Sequence, residues 1–282
     1  MPAPALTPDT LLPRIAATRL AALASGALQP IHTEHTEIDE HGTRFAVRWL
    51  STVEAKHTER ERAAGHRRVD FNPFLPPDPA LTVGALGAAH LAVLNKYPVI
   101  DRHLLIITRA FEAQHTPLGT SDLGALACVL GPHGGLGFYN GGEVAGASQR
   151  HKHLQWIPHT PGEAQLGTLA GCGALPFRHA WIALDGVDWD APEQAGEGLR
   201  QALRSACAQL GMPDAADPMP PYNLLLDRQR LLLVPRRREH WEDISVNALG
   251  FAGSLFVRRP AQIDAIRRIG PLQLLAEVGF PR

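Results

Sequence analysis

The sequence predicts an α+β fold, an antiparallel sheet with flanking helices, laid out as two related units. Three observations point there. Apolar runs joined by tight turns read as strands, above all 90–97 and 103–109. Longer stretches with apolar residues at helical spacing read as helices. Finally, Ile100-Asp-Arg-His-Leu-Leu-Ile-Ile-Thr-Arg109 resembles Leu226-Asp-Arg-Gln-Arg-Leu-Leu-Leu-Val-Pro-Arg236 with one insertion, each an Asp-Arg turn before an apolar strand ending in arginine. Two buried strands can match by chance, so this is the weakest of the three.

The elements follow in order. Residues 6–27 carry Leu11, Ile15, Leu20 and Leu23 at helical spacing, with Thr7 or Asp9 as N-cap and Gly26 near the end. Residues 44–50 alternate like a strand, and 56–70 are rich in charge and histidine. Between Phe71 and Pro79 repeated proline removes ladder donors and fixes φ, so this stretch is an ordered connector or a lid. The two strands at 90–109 come next, then a helix from Thr120 to about 130. A glycine-rich stretch, 131–146, holds Phe138-Tyr-Asn140. A strand at 151–158, a helix at 196–210 and one or two short amphipathic helices over 260–278 complete the chain.

Composition narrows the function classes. The formal net charge of -1 gives no reason to expect nucleic acid or an anionic membrane as partner. No apolar run approaches the roughly 18 residues needed to span a bilayer, and the N-terminus lacks the basic-then-apolar layout of a secretory signal. Cys128, Cys172 and Cys207 are widely spaced without a CxxC pair, which argues against a disulfide framework and for a reducing, cytoplasmic setting.

The chemistry concentrates in Asn140-Gly-Gly-Glu-Val-Ala-Gly-Ala-Ser-Gln-Arg-His-Lys-His-Leu-Gln155. On a strand, His151, His153 and Gln155 share one face about 7 Å apart, while Lys152, Leu154 and Trp156 take the other. Gly146, Ala147, Ser148 and Gln149 just before them supply small residues and successive N–H groups suited to an anion nest. An unprotonated imidazole is a good nucleophile toward phosphorus. A His-x-His on a strand is also a common metal-ligand pair, but it needs further ligands, and Glu143, His133 and His159 sit at no recognised spacing. A purely structural histidine pair is the remaining reading.

These residues carry a resemblance. The motif is similar to the active-site signature of the diadenosine tetraphosphate (Ap4A) phosphorylases, ATP adenylyltransferases of the histidine-triad (HIT) superfamily. Asn72-Pro-Phe-Leu-Pro-Pro, Leu94-Asn-Lys-Tyr-Pro, Thr116-Pro-Leu, Ser121-Asp-Leu, Leu175-Pro-Phe, Tyr222-Asn-Leu-Leu and Val246-Asn-Ala-Leu-Gly-Phe-Ala-Gly253 resemble its other blocks. The resemblance implies a HIT-like fold of tandem units, with residues 1–175 catalytic and 176–282 an ATP adenylyltransferase-like unit closing the pocket. It implies that His153 attacks the α-phosphate, that ATP leaves, and that phosphate then releases AMP from the histidine as ADP. Gln155 stands where hydrolytic relatives carry a third histidine, and a neutral amide cannot shuttle a proton.

By the same resemblance Lys56, Asn95, Lys96 and Asn140 contact the nucleotide or its phosphates, and Asn247, Gly250 and Ser254 belong to a polyphosphate loop. Each also has a plain alternative: a solvated lysine for Lys56, turn residues for Asn95, Lys96 and Asn140, a backbone bend for Gly250. The run Arg236-Arg-Arg238 is a solvated face or a polyphosphate contact. Expected ligands are diadenosine tetraphosphate, ATP, ADP, AMP and phosphate. No tightly bound cofactor, protein-held metal or obligate protein partner is expected, although magnesium can accompany the polyphosphate. Rival readings are the same chemistry on adenylyl sulfate or a nucleotide sugar, and a nucleotide sensor without turnover.

Overall fold

In the computed structural model, residues 3–50, 71–159, 165–171 and 174–282 are described. The chain runs α1 (Pro8–Ser25), β1 (Thr33–Glu40), β2 (Thr43–Leu50), β3 (Thr82–Leu86), β4 (His90–Leu94), β5 (Leu104–Thr108), α2 (Thr120–His133), β6 (Leu136–Gly141), β7 (His153–Ile157) and α3 (Gly167–Ala170). It continues through β8 (Ala180–Ala183), α4 (Pro192–Leu210), β9 (Tyr222–Leu226), β10 (Arg230–Pro235), β11 (His240–Trp241), β12 (Ile244–Ser245), β13 (Ser254–Val257), α5 (Ala261–Ile269) and α6 (Pro271–Val278).

Eight strands form one antiparallel sheet in the order β3-β4-β5-β7-β6-β9-β10-β8. The expected α+β class is therefore borne out. One face carries Leu154, Trp156, Leu224 and Leu226 against α1, α2 and α4, and the other packs Phe138, Ile157, Leu225 and Val234 against β2, β13 and the C-terminal helices. A second sheet, β1-β2-β13, lies on that other side. Both faces of the central strands are thus out of water, so β4, β5, β9 and β10 read as continuous apolar runs instead of alternating ones.

The internal repeat is real in topology, but it is not the one the sequence match suggested. Outward from the β6–β9 pair, the order is β7 then β5 on one side and β10 then β8 on the other. A helix precedes each inner strand pair, α2 before β6 and β7, α4 before β9 and β10. The two helices touch at Gly124 and Gly196, where a Cβ on Gly196 would come within 2.9 Å of the Gly124 Cα. At the centre Asn140 pairs with Asn223, and the rings of Tyr139 and Tyr222 lie 5.9 Å apart. The repeated signal is therefore this Tyr-Asn step. The matched segments 100–109 and 226–236 fall on β5 and β10, whereas the counterpart of β10 is β7. The two stretches are alike because both are buried strands after a turn, not because they hold equivalent places.

Candidate active site

The motif strand β7 is flanked by β5 and β6, with Ile107 opposite His153 and Leu105 and Phe138 opposite Gln155. Its faces divide as the alternation requires. Leu154 and Trp156 join the helix-side core. Lys152, also on that side, is buried and ion-paired to Asp122 at 3.2 Å and Glu112 at 2.6 Å, and Asp122 also holds His90 at 2.8 Å. Burial pushes the Asp122 carboxyl up, but the His90 hydrogen bond and the Lys152 charge outweigh it and hold it below the usual range. The ionic cluster anchors the start of the motif strand from behind.

His153 is buried, with Phe74 packed on its ring at 5.5 Å between centroids. Its Nδ1 lies 2.8 Å from the His151 carbonyl, which can only accept, so Nδ1 carries the proton. Nε2 makes no hydrogen bond among the described residues and keeps its lone pair. Burial, only partly offset by the bond to the carbonyl, lowers its pKa from 6.5 to about 4. The imidazole is therefore neutral at physiological pH.

Gln155 is oriented by a chain that starts at a backbone amide. Tyr97 N–H donates to Asn95 Oδ1, which turns the Asn95 amide nitrogen toward His103 Nδ1 at 3.1 Å. His103 then carries its proton on Nε2 and donates it to Gln155 Oε1 at 2.9 Å. The Gln155 NH2 is left as the group available to a phosphate oxygen. His103 itself is held neutral, its pKa lowered to about 4 by burial against the opposing Gln155 bond, with His153 adding to the depression. His103 was missed in the sequence, where a lone histidine at a strand start gives no motif.

His151 differs from expectation. Its Nε2 lies 2.8 Å from the Thr108 carbonyl and 2.9 Å from Thr108 Oγ1, and its Nδ1 accepts from Asn72 Nδ2 at 3.0 Å. Both ring nitrogens are engaged by the protein, so the strand does not present two imidazoles to a phosphate. His151 instead offers its carbonyl to His153, and it fastens the 71–79 connector, whose Phe74 meets the His151 ring edge-on and the His153 ring at a tilt.

The remaining expected residues do not all come together. Gly146 and, far along the chain from it, Asn247, Gly250 and Ser254 line one cleft of about 640 Å³, together with Val246 and Arg258. Gly146 is left-handed (φ 88°), and a Cβ there would sit 2.8 Å from the Val246 carbonyl, so glycine lets the two loops meet. His153 does not line this cleft; the loop 146–150 leads from it to the motif strand. Along that loop no described acceptor takes the N–H groups of Ser148 and Gln149, as an anion nest requires, whereas the Ala147 N–H bonds the Gly142 carbonyl.

Asn140 is buried between the loops, its Oδ1 accepting from Asn223 Nδ2 and the Ala248 N–H, both at 2.9 Å. Asn95 lies behind His103, and Lys96 is exposed, with Nζ 5.4 Å from the Tyr97 ring centroid. Lys56 lies outside the described residues.

The arginine run divides: Arg237 and Arg238 are exposed, as the solvated-face reading expects, whereas Arg236 departs from it. Arg236 is buried and donates to Asn223 Oδ1 and to the carbonyls of Ala145, Arg238, Glu239, Val246 and Val278. Its pKa is lowered to about 9 by burial, which leaves it charged at neutral pH. It ties the loop before Gly146 to the loop before Asn247. Arg237 and Arg238 pair with Glu277. Among the described residues no three His, Cys, Asp or Glu side chains converge to hold a metal, and Glu143, His133 and His159 form no such group with the motif histidines. No helix among the described residues is long and apolar enough to cross a membrane.

Comparison with known proteins decides the family. Residues 1–167 match the Ap4A phosphorylase N-terminal domain, more than half of the chain. The chain belongs to the Ap4A phosphorylase family. Residues 173–281 match the ATP adenylyltransferase C-terminal domain, and the chain is a nucleotidyltransferase of that family. Among curated proteins of Saccharomyces cerevisiae it is similar to Protein APA1, 26% identical over 93% of this chain and 91% of that one. It is also similar to diadenosine 5',5'''-P1,P4-tetraphosphate phosphorylase 2, 24% identical over 93% and 92%. Crystal structures of yeast Ap4A phosphorylase Apa2 share the fold. The AMP complex has a TM-score of 0.73 at 24% identity over 96% of each chain. The Ap4A complex has a TM-score of 0.72 at 23% identity over 96% of this chain and 97% of that one.

Proposed function

We propose that the chain cleaves diadenosine tetraphosphate with inorganic phosphate, giving ATP and ADP, through AMP held on Nε2 of His153. The observation that carries this reading is the histidine itself. Its Nδ1 proton is committed to a carbonyl, its Nε2 is unbonded among the described residues, and its burial keeps it unprotonated. Family membership and the AMP and Ap4A complexes of the yeast relative supply the substrate class.

In the first half-reaction the Nε2 lone pair attacks the α-phosphorus, and the bond to the bridging oxygen breaks toward ATP. The ring becomes cationic, and the His151 carbonyl dipole on Nδ1–H stabilises that charge. The Gln155 NH2 donates to a non-bridging oxygen as charge builds there. ATP is a good leaving group and needs little protonation. In the second half-reaction an oxygen of phosphate attacks the same phosphorus, the P–N bond breaks, its electron pair returns to Nε2, and ADP leaves. With an amide at position 155 water is poorly activated, so phosphate intercepts the intermediate.

In this reading residues 1–175 carry catalysis. Residues 176–282 close the site and, through Asn247, Gly250 and Ser254, receive the polyphosphate with its magnesium counter-ion. Cys128 and Cys207 are free thiols, which suits a reducing cytoplasm. The test is incubation with diadenosine tetraphosphate with and without phosphate. ATP plus ADP formed only when phosphate is present supports the reading. Hydrolysis to ATP plus AMP that ignores phosphate, or binding without turnover, contradicts it.

A further inference from the structure

Between β6 and β7 the sheet opens at the motif histidine. Their ladder runs through the pairs Leu136–Ile157, Gly137–Trp156 and Phe138–Gln155. Two pairs further along the same register Asn140 would meet His153, but the side chain of Gln114 stands between them. Gln114 Oε1 accepts from the His153 N–H at 2.9 Å, and Nε2 donates to the His153 carbonyl at 3.3 Å and the Asn140 carbonyl at 2.8 Å. A primary amide offers an acceptor and a donor side by side, as a peptide group does, so it replaces the missing strand neighbour.

Gln114 is itself fixed. It is 3% exposed, its N–H donates to the Arg150 carbonyl at 2.8 Å, and its own carbonyl accepts the Tyr139 hydroxyl. Splaying two strands inside a protein ordinarily strands backbone groups without partners. Here one carboxamide satisfies three of them.

We infer that Gln114 is a positioning residue for nucleotidyl transfer: its carboxamide splints the His153 backbone where the sheet opens and so fixes the line along which Nε2 meets phosphorus. This rests on His153 being the nucleophile. The chemistry of the splint gives it a signature. A carboxylate can only accept, so Gln114→Glu in its ionised form loses both donated bonds and sets negative charge against two carbonyls. Protonated, the same side chain recovers a donor and an acceptor. Gln114→Met keeps length and apolar volume but offers neither at any pH.

The test is single-turnover transfer of AMP to the enzyme from diadenosine tetraphosphate, at pH 8 and pH 5.5, each rate taken relative to wild type, with folding followed by near-UV circular dichroism. Gln114→Met is expected to lose on the order of 10²-fold in rate at both pH values with little change in the half-saturating substrate concentration. Gln114→Glu is expected to match it at pH 8 and to recover about tenfold or more at pH 5.5, as the carboxyl takes up its proton. Should the charged variant unfold at pH 8, the methionine variant carries the test alone. His153→Ala is run in parallel. If it still turns over, the nucleophile reading fails. If it is inactive while a folded Gln114→Met keeps the wild-type rate, or the Glu and Met variants share one pH profile, the splint alone is overturned.

Discussion

Acidification separates this site from an ordinary histidine site. Burial lowers the pKa of both His103 and His153 from 6.5 to about 4. At pH 5.5 an unperturbed histidine is neutral in only about a tenth of molecules, whereas one titrating near 4 is almost entirely neutral. The adenylylation half-reaction, run without phosphate so that the titration of the acceptor does not intrude, should therefore hold its rate from pH 8 down to about pH 5. Stability behaves oppositely. Between pH 6.5 and 4 the unfolded chain binds protons that these two folded imidazoles do not, so stability is complete above 6.5 and falls as pH falls. The loss amounts to about 3 kcal/mol for each imidazole by pH 4. Rapid-quench measurement of protein-bound AMP gives the rate, and urea unfolding at a series of pH values gives the stability. A transfer rate that titrates near pH 6.5, or unfolding free energy flat between pH 6.5 and 4.5, would refute the account of a buried, neutral nucleophile.

Three further predictions follow from single contacts. Gln155→His should raise hydrolysis relative to phosphorolysis, read as the ratio of AMP to ADP formed in the presence of phosphate; an unchanged ratio removes the amide from the explanation of specificity. His103→Phe frees the Gln155 amide to rotate. A neutral hydrogen bond of about 1 kcal/mol favours the working orientation about fivefold, so the transfer rate should fall by a factor of about two to ten, with half-saturation nearly constant; a loss as large as that of Gln155→Ala would mean that His103 acts directly. Arg236→Leu leaves Asn223 Oδ1 and the Val246 and Arg238 carbonyls without a described donor and should cost at least about 3 kcal/mol in urea unfolding; a change under 1 kcal/mol would show that the clamp is dispensable.

Much of the chain was legible because its signals are local. The caps and apolar spacing of α1, α2 and α4 marked helices, and the apolar runs of β4 and β5 marked strands. The alternation through β7 placed Leu154 and Trp156 in the core and His153 and Gln155 on the opposite face. Other elements had no such signal. β1 reads Thr-Glu-His-Thr-Glu-Ile-Asp-Glu, with scarcely an apolar residue, and is held by pairing along β2. β6 hid among glycines, and Gly137 is there because any Cβ would come within 2.9 Å of Leu126 on the helix above. Motif matching gave His151 too large a role, since spacing tells which face a ring takes and not what its nitrogens bind. Gln114 and Arg236 were invisible for a related reason. Their partners are backbone groups remote in sequence, so nothing near either residue announces the task.

The central claim is that AMP travels on one nitrogen of one histidine. Quenching the enzyme with diadenosine tetraphosphate in the absence of phosphate, followed by peptide mass analysis under conditions that preserve phosphoramidates, tests it most directly. The account predicts one adenylyl group on the peptide containing His153, discharged as ADP when phosphate is added. A label on another residue, or turnover by His153→Ala, would contradict it.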